Sequence, residues 1–195
     1  MKHKLAILLL AAGGSKRMGK PKQMLKFNDT TILQHAIIKA VKSKVGDVFL
    51  LLGANAEVIT DKHILSDVTV LINDKWKTGL AGSIVYGLKH IIGLERYEGV
   101  IIMLSDQVHL KAKNLKALRD AHKEKHASII ASRYKEGFGP PSLFTSDHFE
   151  ALLKLSGDKG AKKYIIDNID QVEFVDFEKG HLDIDTEEEF NKLIN

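Results

Sequence analysis

Short apolar runs closed by turn residues alternate, along the whole chain, with longer stretches whose apolar positions recur every three or four residues. Leu5 to Ala11 is almost purely aliphatic, Ile32 to Val41 carries its apolar residues at helical spacing, and Val48 to Leu52 is aliphatic again, which reads as strand, helix, strand. The pattern goes on with a short helix near Glu57 to Leu65, a strand at Thr69 to Ile72, a helix at Gly82 to Ile92 and the very apolar strand Gly99 to Leu104. Beyond it the sequence predicts a helix at Lys113 to Lys125, a strand at Ser128 to Arg133 and a turn-rich stretch at Gly137 to Pro141. Helices at Asp147 to Lys154 and near Lys159 to Asn168, a strand at Val172 to Phe177 and a last helix at Thr186 to Ile194 complete the series. Strands that are apolar without alternation are buried on both faces, which puts them in a mostly parallel sheet with helices on each side. The predicted fold class is therefore α/β, a three-layer α/β/α sandwich of Rossmann-like type. Ligands of such open sheets bind beyond the carboxyl ends of the strands, so the residues just after each strand are the ones to search. The Gly137 to Pro141 turn is either the start of a lid or hairpin over part of that edge or a plain connection.

With 195 residues, 44% of them hydrophobic, the chain has material for one α/β domain, residues 1–195, and too little for two ordinary ones. Twenty-nine Lys and Arg against twenty-five Asp and Glu give a net charge of +4, spread along the sequence. A nucleic-acid partner would call for a longer basic stripe, so no nucleic acid is expected. The absence of cysteine excludes disulfides, thiolate nucleophiles and cysteine-ligated metal clusters. The Leu5 to Ala12 run is too short to span a bilayer and ends in glycines, so it reads as a buried strand; no membrane partner and a cytoplasmic location are expected. The nine histidines are scattered without an HExxH motif, and no GxSxG elbow supports a serine hydrolase.

The most informative stretch is Leu10 to Leu25, LAAGGSKRMGKPKQML. A strand runs into Ala11, Ala12, Gly13 and Gly14, then Ser15, and cations follow at Lys16, Arg17, Lys20 and Lys22. Without a Cβ, Gly13 and Gly14 let the backbone reach positive φ and bring its N–H groups up to phosphate oxygens, while the cations supply charge. The spacing fits neither a P-loop nor the GxGxxG of dinucleotide-binding folds, which disfavours an NAD-dependent oxidoreductase. Asp106 directly follows the most hydrophobic strand, in Leu104-Ser105-Asp106-Gln107, where a carboxylate would share the glycine loop's edge and could bind a Mg²⁺ ion bridging nucleotide phosphates. An Asp at that position can also be a plain turn former.

Three further segments bear on the site. Asp183 and Asp185, in Asp183-Ile184-Asp185-Thr186, face the same way if the segment is extended and can both point to a metal; Asp185 or Thr186 can equally cap the last helix. Gly79 and Gly82, in Lys77-Thr78-Gly79-Leu80-Ala81-Gly82-Ser83, permit close approach to a base or ribose, and Ser83 offers a hydroxyl at a helix start, either to the nucleotide or as a cap. Asn73, at a strand end, is a weaker candidate of the same kind.

Taken in order, these motifs resemble the nucleotidyltransferases that include the molybdenum cofactor cytidylyl- and guanylyltransferases, the MobA-like NTP transferases of nucleotide-diphospho-sugar transferase fold. The family's Leu-Ala-Asp-Gln-Pro element stands here as Leu104-Ser105-Asp106-Gln107-Val108, and its Asp-Ile-Asp-Thr element as Asp183 to Thr186. A Gly-Met/Leu-x-x-Ser segment that contacts the nucleoside corresponds to Gly79 to Ser83, and Leu-x-Gly-Asp-x-Gly to Leu155 to Gly160, with Asp158 and Lys159 able to address a pterin-like or phosphorylated acceptor. In the segment matching Gly137 to Phe144, Pro140 stands where the family has His or Asn. The resemblance implies transfer of a nucleoside monophosphate from a nucleoside triphosphate to a phosphorylated acceptor, with release of pyrophosphate and with Mg²⁺ held by Asp106 and Asp185. Gly13, Gly14, Ser15 and Arg17 would hold the β- and γ-phosphates, and Lys22 the α-phosphate, so Arg17, Lys22 and Asp106 are the expected catalytic groups. Leu10-Ala11-Ala12-Gly13 is similar to the cytidylyl branch, which implies CTP, with molybdopterin as acceptor and a molybdoenzyme as recipient of the product. A sugar or alditol phosphate acceptor, the guanylyl reaction, and a non-catalytic nucleotide-binding or cofactor-insertion module are the alternatives.

Overall fold

The computed structural model describes residues 4–15, 18–63, 65–94, 97–184 and 186–194. Its elements, in chain order, are β1 (Lys4–Leu10), β2 (Lys26–Phe27), β3 (Thr30–Thr31), α1 (Ile32–Ser43), β4 (Gly46–Leu52), α2 (Ala56–Lys62), β5 (Thr69–Ile72) and α3 (Gly79–Gly93). Then follow β6 (Tyr97–Leu104), α4 (Ala112–Lys125), β7 (Ile129–Arg133), β8 (Phe138–Thr145), α5 (Phe149–Leu152), α6 (Lys162–Asp167), β9 (Val172–Asp176) and α7 (Glu187–Ile194). A seven-stranded sheet with the order β5-β4-β1-β6-β8-β7-β9 carries the fold. β8 runs antiparallel to both β6 and β7, whereas the other neighbouring pairs are parallel.

Alternation along β1 explains the layers. Leu5, Ile7 and Leu9 point to the face covered by α1 and α4, where they meet Leu33, Ile37, Ala40, Leu115 and Leu118. Ala6, Leu8 and Leu10 point to the other face, against Ile84, Leu88 and Ile91 of α3 and Ile165 of α6. A strand buried on both sides needs apolar residues at every position, which is why β1 reads as one aliphatic run. The predicted three-layer, mostly parallel α/β fold is the one observed. Among the described residues no helix is long and apolar enough to cross a membrane.

Several boundaries differ from the sequence reading, and one difference matters. The Gly137 to Pro141 stretch is the hairpin of the two alternatives and not a plain connection: Phe138 to Thr145 forms β8, antiparallel to β7 across a short turn and inserted between β6 and β7. Gly and two prolines hide the strand because they are turn formers in isolation. Here Ser142 to Thr145 make the ladder with β6, and the pairing with β7 is interrupted by a register shift between Ala131 and Ser132. α3 begins at Gly79, not Gly82, and the region from Asp147 to Lys154 is a short 3₁₀ turn followed by only four α-helical residues.

Candidate active site

The carboxyl ends of β1, β4, β5 and β6 open into a cleft of about 440 Å³, lined by Leu10 to Gly13, Lys22, Gln23, Trp76, Lys77, Gly79, Ser83, Ser105 and Asp106, with Asp158 at its side. The glycine loop leaves β1 and is held in place from behind. Gln23, only 1% exposed, donates from Nε2 to the carbonyls of Ala11 (3.0 Å) and Gly13 (2.8 Å), and its Oε1 accepts from the Ser15 hydroxyl (3.4 Å). The Lys22 amide donates to Ser15 Oγ (3.0 Å), so the loop and the short 3₁₀ turn Lys22–Met24 are tied into one unit. The Ala11 and Gly13 carbonyls are thus both engaged by Gln23. The Gln23 amide spans both ends of the loop, yet glutamine is not a group that sequence reasoning flags; only its burial marks it.

Gln23→Leu keeps the volume and removes the donor, leaving the Ala11 carbonyl buried and unpaired. The expected loss is about 1–3 kcal/mol of unfolding free energy, with weaker nucleotide binding. Urea unfolding checks it, and a variant as stable as the wild type would mean that water takes over the bonds.

The backbone geometry of the loop differs from the expected one. Neither Gly13 nor Gly14 is in the left-handed region; Ser15 is, with φ of 50°. Gly14 packs closely against Trp76, since a methyl group there would lie 3.1 Å from Trp76 Cη2. Gly13 is exposed and open to the cleft.

Lys22 reaches across the cleft floor. Its Nζ donates to Asp106 Oδ2 in a short ion pair and to the carbonyl of Ile184 at 3.3 Å. Asp106 is 9% exposed, and its second oxygen, Oδ1, is buried with no hydrogen-bond partner among the described residues. A buried carboxylate oxygen without a partner is costly unless a cation or donor completes it. The two residues expected to act on the phosphates are therefore brought together from positions 84 apart in sequence.

The other candidates separate into those on the cleft and those beside it. Ala11, Ala12, Gly13, Gly79 and Ser83 line it, and Ser83 lies one turn inside α3, so it is not the helix cap. Gly79 has φ of 91° and turns its missing side chain toward Asp158 and Gly157, while Gly82 faces Thr78 and not the cleft. Asn73 is buried under the turn after β5; its Oδ1 accepts from the Lys75 amide at 3.0 Å, and its Nδ2 has no partner. Ser15 is engaged with Gln23 and Lys22. Arg17, Lys16 and Asp185 lie outside the described residues. Thr186 caps α7 by accepting from the Glu189 amide at 3.2 Å, with Glu189 Oε2 reaching back to the Thr186 amide at 2.8 Å.

A second cavity of about 220 Å³ opens beside the first and shares Leu10, Leu80 and Leu104 with it. Its walls are apolar and aromatic, from Ile84, Ile102, Phe138, Phe144 and Ile165, with Lys159, Lys162 and Asp183 among the residues that border it. Gln107, next to Asp106, locks this cavity: its Nε2 donates to the carbonyls of Pro140 (2.9 Å) and Gly180 (2.8 Å) and to the Tyr134 hydroxyl (3.2 Å). The Tyr134 hydroxyl donates in turn to the Pro140 carbonyl. Burial, reinforced by the charges of Asp183 and Asp106, pushes the Tyr134 phenol far above the ordinary tyrosine range against the opposing bond from Gln107, so it stays protonated as a donor.

The glycine loop, Lys22 and the buried Asp106 gather at the carboxyl edge of a mostly parallel sheet, the arrangement expected of a nucleotidyltransferase, and that is the class to which the chain's family belongs. The chain belongs to the MobA-like NTP transferase domain family, matched over residues 7–172. It is similar to nicotine blue oxidoreductase of Paenarthrobacter nicotinovorans, with 25% identity over 96% of this chain and 95% of that protein. Purine catabolism protein PucB of Bacillus subtilis (strain 168) is 28% identical over 81% of this chain and 78% of its own length. The crystal structure of Rv0371c from Mycobacterium tuberculosis H37Rv superposes with a TM-score of 0.88 at 29% identity, covering 99% of this chain and 98% of that one. A complex of the same mycobacterial protein with manganese gives a TM-score of 0.82 at 26% identity, covering 99% and 98%.

Proposed function

We propose that the chain transfers CMP from CTP to the phosphate of molybdopterin, releasing pyrophosphate. The observation that carries this reading is the Lys22–Asp106 pair in the cleft beside the glycine loop, which borders through Leu10, Leu80 and Leu104 a second cavity with apolar, aromatic walls. Such a layout suits a nucleotide on one side and, on the other, the flat heterocycle of a pterin against apolar and aromatic walls, with Ser142, Lys159, Lys162 and Asp183 at hand for its polar edge and phosphate. A relative named for purine catabolism agrees with a cofactor used by xanthine-dehydrogenase-like enzymes.

In this mechanism an oxygen of the acceptor phosphate attacks the α-phosphorus of CTP in line, the α–β phosphoanhydride bond breaks, and its electron pair leaves with pyrophosphate. No covalent enzyme intermediate is needed; the protein aligns the reactants and offsets charge on the pentacoordinate phosphorus. Amide groups of the loop at Gly13 and Gly14, with Arg17, hold the outer phosphates, and Lys22 leaves Asp106 for the α-phosphate. The unpartnered Asp106 Oδ1 fits Mg²⁺, which favours oxygen ligands and accepts one or two carboxylates beside phosphate oxygens and water. Among the described residues no group of three or more histidine, aspartate or glutamate side chains gathers into a metal site, so Asp106 would hold the ion with Asp185 and the nucleotide's own oxygens. Bound there, Mg²⁺ would neutralise part of the triphosphate charge.

The reading is tested by Mg²⁺-dependent pyrophosphate release from CTP, GTP, ATP and UTP, each with molybdopterin or a sugar 1-phosphate. CTP-selective turnover with the pterin is the expected result. Turnover with a sugar phosphate alone moves the protein to that branch. No pyrophosphate from any pair overturns the transferase assignment and turns attention to redox chemistry of the kind named for the Paenarthrobacter relative.

A further inference from the structure

The geometry points to Trp76 as the platform on which the nucleobase stacks, an inference that rests on the nucleotide site proposed above. Trp76 is the chain's sole tryptophan and the one aromatic side chain among the residues lining the 440 Å³ cleft. It stands on the short 3₁₀ turn Trp76–Thr78 that follows β5. Its amide donates to the Asn73 carbonyl at 3.1 Å, and the Gly79 amide donates back to the Trp76 carbonyl. Two glycines make room for the side chain: a methyl at Gly53 would lie 2.5 Å from Trp76 Cβ, and one at Gly14 would lie 3.1 Å from Cη2. The indole is thus wedged against the loops leaving β4 and β1. Trp76 lines the cleft, and the exposed Lys77 carries its Nζ over the ring at 5.7 Å from the centroid, so an entering base takes the place of that side chain.

The order of strands decides what meets this ring. Lys22 and Asp106 sit over the β1–β6 edge, and the second cavity takes its wall from β8, which lies beyond β6. In an in-line transfer pyrophosphate leaves opposite the acceptor and the nucleoside projects sideways from the α-phosphorus, so with the acceptor in the second cavity the nucleoside stays in the first cleft, whose lining includes Trp76. Trp76 is what the described residues offer there. A half-buried indole held on two sides is a flat, low-entropy surface for a base, and stacking on it is tolerant of base identity. Trp76 accordingly contributes affinity for the nucleoside, whereas the choice of base falls to the groups at its edge.

The test uses the wild-type protein first, because its sole tryptophan reports directly. CTP with Mg²⁺ should quench the intrinsic fluorescence saturably, while inorganic tripolyphosphate with Mg²⁺, which has no base, should leave it nearly unchanged. By calorimetry, Trp76→Ala should weaken CTP about fivefold or more without altering tripolyphosphate affinity, and Trp76→Phe should recover most of the loss. Equal quenching by tripolyphosphate, unchanged CTP affinity in Trp76→Ala, or an equal loss for both ligands would overturn the inference, the last by showing that the indole only buttresses Gly14. If the wild type binds none of the four nucleoside triphosphates by calorimetry, the proposed function fails together with it; calorimetric binding without quenching overturns the role of Trp76 alone.

Discussion

Asp106→Asn is expected to lower kcat for nucleotidyl transfer by about a hundredfold or more, with the fold intact. The carboxylate is the one acidic group described on the cleft floor beside the glycine loop, and it has two tasks that an amide cannot share. Its Oδ2 faces the Lys22 ammonium, and its Oδ1 is buried without a partner among the described residues, a setting that suits an acceptor for a cation and not the N–H of an asparagine, which needs an acceptor of its own. A preorganised charge of this kind is worth roughly two to three orders of magnitude when it acts in the transition state. The stability cost stays below the roughly 3–5 kcal/mol typical of breaking an enclosed ion pair, because Lys22 lines an open cleft and can turn to water. Steady-state kinetics with parallel urea unfolding measures both effects, and a kcat within tenfold of wild type would remove Asp106 from the chemistry. Manganese binding in the presence of CTP offers a second reading, since it should weaken in the same variant.

Lys22→Ala is expected to lower kcat by about a hundredfold as well, comparable to the loss of one oxyanion donor. In the free protein the ammonium is engaged by Asp106 Oδ2 and the Ile184 carbonyl, so it has to exchange these for phosphate when nucleotide arrives. Neutralising charge that builds only in the transition state lowers kcat and kcat/KM together; a raised KM with unchanged kcat would reduce Lys22 to a ground-state contact. Because the two side chains form one unit, the Lys22→Ala, Asp106→Ala double variant should be little slower than the worse single variant. Full additivity of the two losses would mean that the pair seen here has no part in the reaction.

A considerable share of this was legible in the chain. β1, β4 and β6 are readable because strands covered on both faces must be aliphatic at every position, as Leu5 to Leu10 is. Asp106 is readable because the most apolar strand has to end at the ligand edge, and Lys22 because it follows a glycine turn at a fixed short distance. β8 is not readable: Gly139, Pro140 and Pro141 have the local chemistry of a turn, and only the pairing of Phe138 and Gly139 with β7 and of Ser142 to Thr145 with β6 makes them part of a strand. Likewise the sequence suggests a torsional role for Gly14, whereas in the fold its φ is ordinary and it is the Trp76 ring, sixty-two positions away, that packs close against it.

The sequence by itself determined the α/β class, the direction of the sheet's ligand edge and the presence there of a glycine loop, a lysine and an aspartate. These are properties of short windows, set by hydrophobic period, turn chemistry and charge. Tertiary structure alone decided which distant side chains complete them. Gln23 brackets the loop through bonds to Ala11 and Gly13, Gln107 and Tyr134 lock the second cavity through Pro140 and Gly180, and Trp76 closes the β5 side of the cleft. Amide, phenol and indole groups carry no chemical signature in a one-dimensional pattern; their roles come from the partners that folding sets within about 3 Å of them, the range over which hydrogen bonds act.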